Sequence, residues 1–81
     1  MNREQFLCIS DEYVEKCVGK IITFTRENGA QEKRKITGLL LLDPKEKERL
    51  HFDKATKYLG FQLDEKERLF FDAPIDNITI E

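Results

Sequence analysis

Ile36-Thr37-Gly38-Leu39-Leu40-Leu41-Leu42-Asp43 is the longest apolar run in the chain, and Asp43-Pro44 stops it. A run that is apolar on both faces of the pleat belongs in the middle of a sheet, covered on each side. The chain after it, Leu42-Asp43-Pro44-Lys45-Glu46-Lys47-Glu48-Arg49-Leu50-His51-Phe52-Asp53, recurs in shortened form as Leu63-Asp64-Glu65-Lys66-Glu67-Arg68-Leu69-Phe70-Phe71-Asp72. One device is thus used twice: an apolar strand, a charged turn, and a strand reading Arg-Leu-x-Phe-Asp. That pattern predicts a small β-rich domain.

Eighty-one residues suffice for one domain, 1–81, whose core supplies only a few kcal/mol of net stability. The charged share is high, at 37%, yet the signs are mixed and Phe, Leu and Ile are plentiful, which argues against disorder. A net charge of −2 gives no long-range pull toward a phosphate backbone, so nucleic-acid binding would need a local patch. Cys8 and Cys17 stand among apolar neighbours behind an N-terminus unlike a signal peptide. They predict reduced, mostly buried thiols in a soluble, cytoplasmic protein. No stretch is long enough to span a bilayer.

Upstream of the central run, Phe6-Leu7-Cys8-Ile9 reads as an edge strand or a docked arm. Ser10 is a good N-cap, Asp11 and Glu12 suit a first helical turn, and Ile9 and Val14 have staple spacing. Tyr13, Val14, Cys17 and Val18 then share one helical side, and Gly19 can close the helix. Lys20 to Arg26 alternates as a strand with Ile22 and Phe24 on one face, and Asn28-Gly29 predicts a hairpin in which both residues tolerate positive φ. The return strand begins polar at Glu32 and becomes the apolar run, with Gly38 marking a bend or bulge. Downstream, Arg49 to Asp53, Tyr58 to Leu63, Arg68 to Phe71 and Ile75 to Ile80 read as strands. The predicted core is the helix side plus Ile22, Phe24, Ile36, Leu40, Leu42, Leu50, Phe52, Leu59, Phe61, Leu69, Phe71 and Ile78.

Chemistry-bearing constellations are scarce. His51, the single histidine, shares its strand face with Arg49 and Asp53 and reads as an exposed polar residue. One His and two separated Cys do not make a four-ligand zinc site without carboxylates. No nucleophile, base and orienting group fall together, and the glycines are too scattered to cradle a phosphate. The acids of the two charged turns alternate with Lys and Arg, which keeps them solvated. The sequence therefore predicts neither an enzyme nor a bound cofactor or metal.

The segments Cys17-Val18-Gly19-Lys20, Ile21 to Thr25, Asn28-Gly29 and Ile36-Thr37-Gly38-Leu39-Leu40, taken together, resemble the first half of Sm-like proteins. Gly38 to Asp43 approximates that family's Gly-x-Leu strand and apolar-Asp step, and Leu50-His51-Phe52-Asp53 looks like its third strand. The resemblance covers roughly residues 10 to 53 and implies a short N-terminal helix followed by a strongly bent five-stranded barrel. It does not extend to the RNA-contacting positions. Asp43 comes one residue early, Glu46-Lys47 stands where the family has Met-Asn, and Asp72-Ala73-Pro74-Ile75-Asp76-Asn77 replaces the second motif.

The fold expected is mainly β: a short N-terminal helix, then a strongly bent five- or six-stranded antiparallel SH3-like or Sm-like barrel. The alternative is an open antiparallel sheet with the helix across one face. The function expected is a non-enzymatic binding module (adaptor, inhibitor or accessory subunit) acting through a protein partner. Tyr58 and Phe70, opposite their strands' inward residues, would be its exposed anchors. The alternative is a nucleic-acid-binding barrel using Lys33, Arg34, Lys35, Lys45, Lys47, Arg49, Lys66 and Arg68 as a phosphate track. The last strand, Ile75 to Ile80, would offer an open edge for pairing with a second copy.

Overall fold

A bend in one long strand divides the molecule into two halves. The computed structural model describes residues 1–43, 45 and 57–81. The strand expected at Arg49 to Asp53, with Leu50, His51 and Phe52, lies outside the described residues, as does Lys47. The elements run α1 (Arg3–Leu7), α2 (Asp11–Glu15), β1 (Ile21–Arg26), β2 (Gln31–Leu41), β3 (Tyr58–Leu63), β4 (Glu67–Phe70) and β5 (Ile75–Ile80). All strand pairs are antiparallel, in the order β4-β3-β2-β1-β5. Among the described residues the architecture is mainly β: one open five-stranded sheet with two short helices. The sheet formed by those residues does not close on itself, which matches the open alternative rather than a closed barrel.

The apolar run takes the central place expected of it, as the second half of β2. Gln31 to Lys35 pairs only with β1, and Ile36 to Leu41 pairs only with β3. The register shifts between Ile36 and Gly38, where the sequence puts its bend. Ile36 sits at that corner with no exposed surface, exchanging hydrogen bonds with Gly19 and Lys20 on one side while facing Leu63 on the other. Arg26 of β1 reaches Glu67 of β4 at 2.7 Å although two strands separate them in the sheet order. In a flat sheet strands three places apart lie about 14 Å from each other. The sheet is therefore strongly curled, with its two halves folded over one core.

That core holds Val14, Cys17, Ile22, Phe24, Ile36, Phe61, Leu69, Phe71 and Ile78, all expected, together with Phe6, Tyr58, Leu63 and Ile75. Phe6, Phe61 and Phe71 form an aromatic triangle. Phe71 meets each of the other two edge-on at 5.3 Å between centroids, and Phe6 and Phe61 lie 6.1 Å apart. Phe6 arrives there on α1 rather than on an edge strand. Asn2 accepts from the Gln5 N–H at 2.8 Å while the Gln5 side chain accepts from the Asn2 N–H at 2.9 Å, a reciprocal cap that starts the helix.

Several expectations are corrected. The cover predicted for both faces of the apolar run is only partial: Leu40 and Leu42 are half-buried, as is Leu59 of β3, and Leu41 is 75% exposed. Helix α2 starts at its Ser10 cap as expected but stops at Glu15. Cys17 to Lys20 then forms a separate turn closed by the Lys20 N–H on the Cys17 carbonyl, with Gly19 at φ +90°. The chain rotates there, so Val18 points outward, and Tyr13 is exposed as well. In the first hairpin only Gly29 has positive φ; Asn28 instead accepts from the Ala30 N–H at 3.0 Å. The open edge expected on β5 is also covered at its middle. The Ile78 N–H donates to the Met1 carbonyl at 2.7 Å, and the Met1 nitrogen donates to the Ile78 carbonyl.

Candidate functional site

The two aromatic anchors separate. Tyr58 is buried at 8% exposure and belongs to the core, which removes it as a docking residue. Alternation along β3 would turn it outward, but α2 lies over it. The Asp11 carboxylate accepts from the Lys57 N–H at 3.1 Å, and the Glu15 carboxylate accepts from the Tyr58 hydroxyl. Asp11 and Glu15 are one helical turn apart, so both face β3 at once. The bond to Glu15 is the first cause that raises the Tyr58 pKa, followed by burial and by the charges of Glu15 and Asp11.

Phe70 remains exposed and lines an outer groove of about 430 Å³ with Leu39, Leu40, Leu41 and Leu59. Asp43 and Arg68 bring charge of both signs to its rim. The geometry follows from the β3–β4 register, which sets Phe70 opposite Gly60 and Arg68 opposite Gln62 on the same face. At Gly60 a side chain would collide with the main chain of Leu69, so the two strands pass unusually close there. Phe70 consequently lies over a bare stretch of β3 and meets the leucines of β2 beyond it. Leu41 is the most exposed large hydrophobic residue among those described, and a continuous apolar run carries no face signal that marks it.

The predicted phosphate track is dispersed. Arg34 faces inward with Glu32, and its guanidinium meets Glu32 at 2.7 Å, Glu67 at 3.3 Å and Asp64 at 3.5 Å. Arg26 joins the same group through Glu32 and Glu67 while stacking on the Phe24 ring at 5.3 Å. These five charged residues tie β1, β2 and β4 together, and they draw Arg34 away from the predicted track. Lys33 and Lys35 point outward from β2, and Lys45, Lys66 and Arg68 are exposed. Arg49 and Lys47 lie outside the described residues.

The turn that carries Lys66 brings its own acids against β2. The Lys35 N–H donates to the Asp64 side chain, the Asp64 N–H donates to the Lys35 carbonyl, and the Glu65 N–H donates to Thr37 Oγ1. Asp64 and Glu65 both take positive φ, 49° and 61°, in a turn closed by the Lys66 N–H on the Leu63 carbonyl. The docking bonds hold this left-handed pair without glycine. Carboxylates are therefore fixed among the exposed cations.

Among the described residues, no three His, Cys, Asp or Glu side chains are grouped to hold a metal ion, and no helix is long and apolar enough to cross a membrane. Of the two thiols expected to be mostly buried, Cys8 is exposed at the end of α1. Cys17 is buried, donates to the Tyr13 carbonyl at 3.2 Å, and has its pKa raised by that burial. No family model, curated protein or solved structure matches this chain.

Proposed function

We propose that this chain is a non-enzymatic binding module that works by protein contact through the outer face of β2, β3 and β4. The observation that carries the reading is the groove in which Leu40, Leu41, Leu59 and Phe70 meet Asp43 and Arg68, with Leu41 the most exposed large hydrophobic side chain among the described residues. Apolar patches of that kind on small domains serve contacts with other macromolecules, and an exposed aromatic beside an arginine is the composition of an interface centre. The same reading takes the architecture as an opened relative of small SH3-like or Sm-like barrels. Support comes from the bent β2 shared between two halves, from the pairing of the first strand with the last, and from the short helices in front. The commitment of Arg34 to carboxylates and the acids fixed beside Lys35 and Lys66 weigh against a phosphate track.

A photo-crosslinking amino acid placed at position 70 tests the assignment, with the same group at Thr79 on the other half as a control. Position 70 should yield a protein adduct that position 79 does not. Adducts to nucleic acid, or equal yields at both positions, would overturn the assignment.

A further inference from the structure

The free edge of β4, beside this face, is suited to a second copy of the chain. The inference rests on the protein-contact reading above and adds a partner for that edge. Two edges end the sheet, β4 and β5, and they differ. On β5 the outward N–H and C=O of Ile78 are both taken by Met1. On β4 the bond from the Phe71 N–H to the Leu59 carbonyl sets the alternation. Leu69 then faces Phe61 with its backbone groups turned toward β3, whereas Arg68 and Phe70 turn theirs away from the sheet. Among the described residues no hydrogen bond reaches the outward N–H groups of Arg68 and Phe70. The Phe70 carbonyl accepts from the Ala73 N–H at 3.1 Å and keeps a second lone pair.

Two copies related by a two-fold axis can pair such edges only antiparallel, with outward residues opposite outward residues. Three registers qualify. Setting Arg68 against its own symmetry mate opposes two like charges, which is destabilising. Setting Phe70 against its mate carries the pairing into the turn after Phe70, where the chain bends back. The third register centres the axis on Leu69 and sets Arg68 opposite the other copy's Phe70, twice. It uses the whole of β4, brings each guanidinium to an aromatic ring, and joins the two outer grooves across the seam. We propose that β4 pairs with β4 of a second copy in this register, giving a weak two-fold dimer.

Light scattering across micromolar to millimolar protein reads the outcome. The mass should rise with concentration from 9.6 kDa toward twice that value and stop there. Arg68→Pro removes an outward N–H from each copy without touching the ladder to β3, and should weaken association by roughly thirtyfold. Two variants at the exposed position 70 leave the core intact and test the register itself. Phe70→Arg opposes Arg68 of the other copy and should abolish the dimer, whereas Phe70→Glu pairs with that arginine and should retain it. Equal loss in both variants, or a dimer indifferent to Arg68→Pro, would overturn the register. A monomer at every concentration, or a mass beyond two copies, would overturn self-pairing. A monomer that still gives a protein adduct from position 70 would leave the protein-contact reading standing, whereas a monomer with no adduct would remove both.

Discussion

Gly60 and Gly38 sit on neighbouring strands of one face, and the structure assigns them opposite tolerances for a methyl group. A Cβ at Gly60 would lie 2.1 Å from the Leu69 carbonyl oxygen and 2.8 Å from both the Leu69 carbonyl carbon and the Phe70 Cα. All three are main-chain atoms, so no side chain can swing aside. To restore an ordinary contact β4 must retreat by about 1 Å, which takes the flanking bond from the Phe71 N–H to the Leu59 carbonyl from 3.1 Å to beyond hydrogen-bond range. Overpacking costs about 1–3 kcal/mol and each broken ladder bond about 1 kcal/mol more. Gly60→Ala should therefore cost roughly 2–4 kcal/mol, against the roughly 4–12 kcal/mol expected for a domain of this length. At Gly38 the added carbon would meet Gln62 Cβ at 3.5 Å, an ordinary contact, and the backbone there needs no positive φ. Gly38→Ala should be neutral or stabilise by up to about 1 kcal/mol, by restricting the unfolded chain. Urea unfolding followed by circular dichroism measures both. The midpoint should fall clearly for Gly60→Ala and hold or rise for Gly38→Ala, with similar slopes. Equal midpoints for the two variants would refute the close crossing of β3 and β4, and with it the placement of Phe70 over bare backbone.

Phe6→Ala removes one member of the aromatic triangle from a fully buried position and should cost about 3–5 kcal/mol, read from thermal unfolding. Asn2→Ala, which leaves the ring in place but removes its helix cap, should cost only about 1 kcal/mol in the same assay. Tyr13, Cys17 and Tyr58 all have pKa values raised in the fold, Tyr13 and Cys17 by burial first and Tyr58 by its bond to Glu15 first. Each group loses its proton sooner in the unfolded chain, so its contribution is complete below the ordinary pKa and is lost as pH rises through the folded value. Stability measured from about pH 8 to pH 11 should therefore fall at the alkaline end, and Tyr58→Phe should flatten that fall; a rise with pH would contradict the assignment. Arg26→Met removes the guanidinium that joins the ion-pair group and stacks on Phe24, and keeps only an apolar side chain of similar reach. The group's charges are about a third exposed, so a loss of about 1 kcal/mol or less is expected in urea unfolding.

The central strand, the bend at Gly38 and the alternating core of β1 are legible in the sequence because period-two patterning and glycine placement act locally. The two halves of β2 are less so. A run of four leucines has no polar residue to mark its outward face, and Leu41 took its exposure from the absence of a covering layer. Tyr58 obeyed alternation and was nonetheless buried, because α2 brings Glu15 to its hydroxyl across more than forty residues of sequence. The Asp11 and Glu15 spacing held that information, but nothing local says which strand the helix will meet. Phe6 carried a local signal, the Asn2 and Gln5 capping pair, that outweighs the strand-like look of Phe6 to Ile9. For the candidate site, Phe70 and Arg68 were legible from strand alternation. The withdrawal of Arg34 was not, since basic triplets on a strand always send one member to the other face, and beyond nearby Glu32 its carboxylate partners, Glu67 and Asp64, come from β4 and the turn before it.

The pairing of β1 with β5 also sets an order of events during synthesis. Residues 21–26 leave the ribosome long before residues 75–80, which supply their second row of hydrogen bonds. At about 5–20 residues per second the gap lasts several seconds. Throughout it, Ile22 and Phe24 lack their cover and β1 presents a bare edge to neighbouring nascent chains. The β1–β2 hairpin can form in microseconds, but the remaining enclosure waits for β5, so the sheet is completed only after residues 75–80 emerge. The charges of Arg26 and Glu32 flank the turn of that early hairpin, with Arg34 farther along β2, and set charge beside the apolar residues it leaves uncovered.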